Sequence, residues 1–237
     1  MTLNTDDLLN SILASFDRIS NIKTEDLPNI DLYMDQVTSL MEKKLKSAIR
    51  NPEDKILTKT MINNYAKNDL IPPPEKKKYT KEHIVLLIFI FYSKGFLSIT
   101  DVQTMLSPLT DRYFGGEGKF DLCDIYDEVF SMEEERTKEL KDDVTKKFER
   151  AMQTFQDAPK DDQEVLQMFS FIFMLGYDVY TKKLLIEKLL DGFGTRYQEL
   201  DNKKQDKNKK EKKEAQKKES VKSTAAKAEN GKKESTK

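Results

Sequence analysis

Apolar residues recur at three- and four-residue spacing along most of the chain, and no stretch alternates apolar and polar for long enough to make a convincing strand. The first run predicts a helix over about 6–19, with Leu8, Leu9, Ile12, Leu13, Phe16 and Ile19 on one side. Thr5 suits its N-cap, and Asp6 and Asp7 suit the positive end of its dipole. After a loop at Leu27, Pro28 and Asn29, a second helix is expected from about 31, carrying Leu32, Val37, Leu40, Met41, Leu45 and Ile49. It ends before Pro52, because proline disfavours helical geometry in the residue preceding it. Thr58 then caps a third helix, 59–68, whose inner face is Met61, Ile62 and Tyr65.

Prolines at 72–74 forbid helix and central strand alike, so 70–79 reads as an exposed, stiffened turn, at most a small two-stranded wing. Thr80 caps helix 81–94, whose run from Ile84 to Tyr92 is apolar on nearly every side and must be buried on most of its surface. Gly95 stops it. Ser98, with Asp101 at the capping-box position, starts a short helix that Pro108 is expected to end. The glycines at 115, 116 and 118 mark the best internal boundary. A single long helix is expected over 121–157, either a dimerisation helix or a spacer, and Asp161 caps a final apolar helix reaching about Leu190. Its aromatics, among them Phe169, Phe171, Phe173 and Tyr177, are read as core or dimer seam rather than as an effector pocket.

Charge changes this picture. The chain has 237 residues with a net charge of −1. Residues 201–237 hold fourteen lysines and seven acids, which leaves 27 basic and 35 acidic residues in 1–200. The tail offers nothing apolar to bury against its ordering entropy and is expected to be disordered. Inside the acidic body, 42–82 is a basic island of eleven basic against six acidic residues. One cysteine, Cys123, and one histidine, His83, exclude a disulfide within the chain and leave metal catalysis without soft ligands; no cofactor and no metal are expected. Cys123 is read as buried and inert, and His83 as a capping or exposed residue. No nucleophile–base pairing appears, so an enzyme is not expected. No apolar run approaches the roughly 20 residues that span a bilayer, and the N-terminus lacks a basic secretory region. The expectation is a cytoplasmic protein with no membrane partner.

The basic island carries the chemistry. Thr58, Lys59, Thr60, Asn63, Asn64 and Lys67 lie on the outer side of helix 59–68, and these are residue types that bond base edges in the major groove. Lys76, Lys77 and Lys78 sit on the proline-stiffened turn with Lys81 just behind, as a clamp for phosphates. The bland reading is a solvated turn beside a weak helix.

The run Tyr65-Ala66-Lys67-Asn68-Asp69-Leu70-Ile71-Pro72, then Tyr79 and the Gly95-Phe96 helix, resembles the DNA-binding domain of MerR-type regulators. The segments LYMDQV, LTKTMINNY and PPPEKKKY more closely resemble a bacterial family of unknown function, of the DUF1836 type, over about 29–110. The resemblance implies a helix-turn-helix with helix 59–68 as the reading helix, and adds Tyr65 and Tyr79 to the candidate DNA-binding residues. It departs from the MerR pattern where Asn63, Asn64 and Asp69 replace an arginine, a tyrosine and the turn glycine, and where Lys77 replaces the wing arginine.

The expected protein is therefore all-α. It has an N-terminal helix (1–28), a MerR-like helix-turn-helix domain with a wing-like turn (29–110), a C-terminal helical dimerisation or effector region (119–200) and a disordered tail (201–237). Its expected function is sequence-specific binding of double-stranded DNA as a homodimeric transcriptional regulator, with an effector or protein partner left open. The alternative is a helical protein-interaction module that keeps the fold without binding DNA.

Overall fold

A computed structural model of the chain describes residues 5–16, 22–51, 53–116 and 118–233. It divides into two units, Met1–Leu190 and Asp191–Lys237. The first is helical apart from one two-stranded sheet: α1 (Thr5–Phe16), β1 (Leu32–Tyr33), α2 (Met34–Leu45), α3 (Lys59–Lys67), β2 (Lys78–Tyr79), α4 (Lys81–Ser93), α5 (Ile99–Tyr113), α6 (Leu122–Phe130), α7 (Glu133–Met152) and the start of α8 (Lys160–Lys233). The second unit holds the continuation of α8. No helix among the described residues is long and apolar enough to cross a membrane.

The core forms around α4. Ile84, Val85, Leu86, Leu87, Ile88 and Ile90 are all buried there, as the absence of a polar face requires. Each such side chain contributes about 1.5–3 kcal/mol relative to leaving it in water. Their cluster takes Val37, Met41 and Leu45 from α2, Ile62 and Tyr65 from α3, Val102 and Leu106 from α5, and Leu122 and Tyr126 from α6. Phe89, Tyr126 and Phe130 stack along one side of it. Lys94, at the end of α4, donates to the carbonyl of Ile56 at 2.9 Å and so ties the loop before α3 to this helix. A second cluster joins Val144, Phe148 and Ala151 of α7 to Phe171 of α8, with Leu9, Ile12, Leu13 and Phe16 of α1 against it. Lys147 bridges Asp143 on its own helix and Asp178 of α8, the latter at 2.6 Å.

Several boundaries differ from those the pattern predicts. Leu32 and Tyr33 are a strand, so α2 starts at Met34, and a 3-10 turn, Lys46–Ala48, follows its end at Leu45. Pro108 does not end α5. It lies buried inside that helix, where burial of its ring offsets the backbone hydrogen bond that proline cannot make. The expected long helix 121–157 is two. Ser131 turns back on Glu128, its hydroxyl donating to that carbonyl at 2.7 Å, and the local bond competes with the helical one. Asp161 lies in the first turn of α8 rather than before it, and the Pro159 carbonyl accepts from Asp162 and Gln163. The glycine-rich stretch does not part the core, because Leu122 and Tyr126 beyond it are buried with α4. The tail expected to be disordered is helical to Lys233. Its composition is rich in Lys, Glu, Gln and Ala, all strong helix formers. Thr5 as a cap, and Ile19, lie outside the described side chains.

Candidate functional site

The wing-like turn has a defined geometry. The Lys78 amide donates to the Glu75 carbonyl at 2.8 Å, and the two residues between them both have positive φ, Lys76 at 48° and Lys77 at 64°. That pair of left-handed residues makes a type I′ turn, a conformation normally built from Asn-Gly, because a Cβ disfavours it. Both lysines are exposed. The turn's partner strand is not inside 70–79. Tyr79 pairs with Leu32 and Lys78 with Tyr33, in antiparallel register. The pairing thus joins an element preceding α2 to one following α3.

Beneath the turn the residues are fixed. Tyr79 is buried and sets its ring edge-on to His83, 5.4 Å between centroids. Lys78 is half-buried with its ammonium 5.6 Å from the centre of the Tyr33 ring. Lys81 donates to Asn29 Oδ1 at 3.4 Å. The His83 Nδ1 accepts from the Thr80 amide at 3.0 Å and from its hydroxyl at 2.9 Å, closing the capping box of α4. Its other nitrogen, Nε2, donates to the Pro72 carbonyl at 3.2 Å. Burial holds the His83 pKa below its usual value.

Helix α3 presents the second part. Thr58 caps it, its hydroxyl accepting from the Met61 amide at 3.2 Å. Lys59, Thr60, Asn63, Asn64 and Lys67 are exposed, while Ile62 and Tyr65 are buried. Burial raises the Tyr65 pKa, as it does that of Tyr79. Of the candidate residues, these two tyrosines are buried where the others on α3 are exposed. Lys59 is ion-paired with Asp35 in the first turn of α2. The path Lys59, Asp35, Tyr33, Lys78 consequently links the start of α3 to the base of the lysine turn. At the far end, Asp69 takes φ 55° and the Leu70 amide donates to the Tyr65 carbonyl at 2.9 Å, a left-handed C-terminal motif normally built on glycine. Residues 46–58 separate α2 from α3, far more than the three or four residues that join a helix-turn-helix.

Residues 22–129 match the family model DUF1836, described as a domain of unknown function. No curated protein and no solved structure matches the chain. The matched segment starts with the main core at Ile22 and holds its buried members through Tyr126, while Leu190 of α8 joins that core from outside it. It reaches further at both ends than the resemblance over 29–110, and takes in α6. The DUF1836 segment also holds features that no motif announced. Glu82 accepts from the Gly115 amide at 2.8 Å, pinning the glycine turn to α4. A cleft of about 370 Å³ opens beside Thr24, Glu25, Tyr126, Asp127 and Phe130, and the buried Tyr126 hydroxyl has no hydrogen-bond partner among the described residues. Cys123 is half-buried, and burial pushes its thiol up to about 11, so it carries little thiolate at neutral pH.

Proposed function

We propose that the protein binds double-stranded DNA as a homodimeric regulator that uses α3 as its reading helix, as MerR-like proteins do, although the 46–58 link to α2 is longer than a helix-turn-helix turn. Thr60, Asn63, Asn64 and Lys67 of α3 face the major groove, and Lys76, Lys77 and Lys78 hold phosphates. The observation that supports this reading best is the turn. Two successive lysines hold a backbone conformation that costs of the order of 1 kcal/mol or more each outside glycine. Such strain persists where presentation of the side chains matters more than stability. The proline-stiffened approach adds that little further entropy is lost on contact. Binding should be steeply salt-dependent. Changing Lys76, Lys77 and Lys78 together to alanine should lower affinity at moderate salt and reduce the log–log salt slope by about two to three. Unchanged affinity in fluorescence anisotropy against a pool of random duplexes would overturn the assignment.

One observation favours the alternative, a protein-interaction module without DNA binding. Lys59, at the leading end of α3, is already paired with Asp35, and the acid lowers the local positive potential. That reading is expressed as no duplex binding by the full chain at physiological salt.

A further inference from the structure

Helix α8 buries only one side of its length within the first unit. Phe171 packs edge-on against Phe148, 5.2 Å between centroids, with Met168, Met174 and Leu175 beside that pair. The opposite side is also apolar and is uncovered. Val165, Phe169, Ile172, Phe173, Tyr177 and Tyr180 are each about 60% exposed or more, taking 59% for Tyr177 and 68% for Val165 as the ends of the range. Steps of three and four, with Ile172 and Phe173 side by side at the middle, place them in one stripe along the helix. Four aromatic and two branched side chains so exposed offer on the order of 700 Å² of apolar surface. A monomer rarely leaves more than roughly 300–600 Å² of contiguous apolar patch open, and one side of a standard interface covers about 800 Å².

We infer that this stripe is the seat of a second copy of the same chain, with the two α8 helices antiparallel and crossing between Ile172 and Phe173. The charges on the stripe's ends select the occupant and its direction. Asp161 and Asp162 lie on this face at the N-terminal end and Lys183, which also pairs with Glu187 of its own helix at 3.6 Å, lies at the other, so a reversed second helix sets acid against lysine. A two-fold axis between Ile172 and Phe173 sets Asp162 against the other copy's Lys183 and Val165 against its Tyr180. It also sets Phe169 against the other copy's Gly176, the one position in the stripe without a side chain. A Cβ built on Gly176 meets nothing within 4 Å, so this gap is open to an incoming ring. In a parallel pair, acids would face acids and the gap would face itself.

The inference gives the homodimer of the proposed function its contact surface, but its test needs no DNA, so either can fail without the other. Sedimentation equilibrium of the full chain should give twice the 27.6 kDa chain mass, with a micromolar or tighter dissociation constant. Gly176→Leu has room in the single chain and favours helix, so it should fold, as circular dichroism will show, yet weaken the dimer at least roughly tenfold. Asp162→Lys and Lys183→Asp should each weaken it, and the double exchange should recover it. A chain that stays monomeric overturns the proposal. So does a dimer indifferent to Gly176→Leu, and so does a double exchange weaker than either single change, which would mean another orientation or another face.

Discussion

His83 donates Nε2–H to the carbonyl of Pro72, 3.2 Å away, while its Nδ1 accepts from the amide of Thr80. These two bonds require the neutral ring with the proton on Nε2. They also place one side chain between the cap of α4 and the proline turn that carries the lysines. A proton on Nδ1 would remove the acceptor and set a charge between Tyr79 and Phe114, whose rings stand edge-on to the imidazole.

The folded protein therefore holds His83 less basic than the unfolded chain does, because burial disfavours the charged ring more than the Pro72 bond and Asp31 favour it. Below about pH 6.5 the unfolded chain takes up the extra proton, so stability is full above that value and falls as pH drops toward the folded pKa. His83→Gln can still serve the capping box but does not titrate. It should be less stable at neutral pH by about 1–2 kcal/mol, through the weakened tie to Pro72. Between about pH 5.5 and 7.5 its urea midpoint should change less than that of the parent protein. Equal slopes for the two would remove His83 from the pH response.

The left-handed lysine turn separates stability from binding. Lys76→Asn with Lys77→Gly gives the type I′ turn its preferred residues and should stabilise the fold by about 1 kcal/mol. The same change removes two cations from the tip. Thermal unfolding should shift upward while affinity for duplex DNA falls. A more stable variant with undiminished affinity would show that the lysines are not used on phosphate.

Asp69 tests the end of α3 in isolation. Its positive φ is a cost that glycine does not meet, so Asp69→Gly should stabilise by about 0.5–1 kcal/mol. Asp69→Ala keeps the strain and should gain nothing. Calorimetry on the pair distinguishes relief of strain from loss of a carboxylate, because both variants lose the charge.

The caps and the main core were readable from the chain because they depend on local chemistry. Thr58, Thr80 and Ser98 each precede an apolar helix, and Ser98 with Asp101 forms the box that the spacing predicts. The uninterrupted apolar run after His83 could only be a buried helix. What was hidden depends on contacts distant in sequence. Two-residue strands carry no period, so the pairing of Leu32 with Tyr79 could not be read from either segment. Pro108 within α5 is tolerated through tertiary burial, which local rules leave out. Among the candidate site residues, exposure follows the helical period: Asn63 and Asn64 face outward and Tyr65 inward. The left-handed backbone at Lys76 and Lys77 is foreign to lysine's own preferences, so composition gave only the charge and not its presentation.

The sheet of β1 and β2 is only two residues wide on each side, yet it has a mechanical result. It clamps the base of the lysine turn to the chain immediately before α2, so the turn has no hinge of its own. A pull on Lys76 or Lys77 is taken up by Tyr33, passes into the first turn of α2 and arrives at Lys59 through Asp35. Tip and helix are thus anchored at neighbouring points of the chain, the base of one and the start of the other both meeting at the entry to α2.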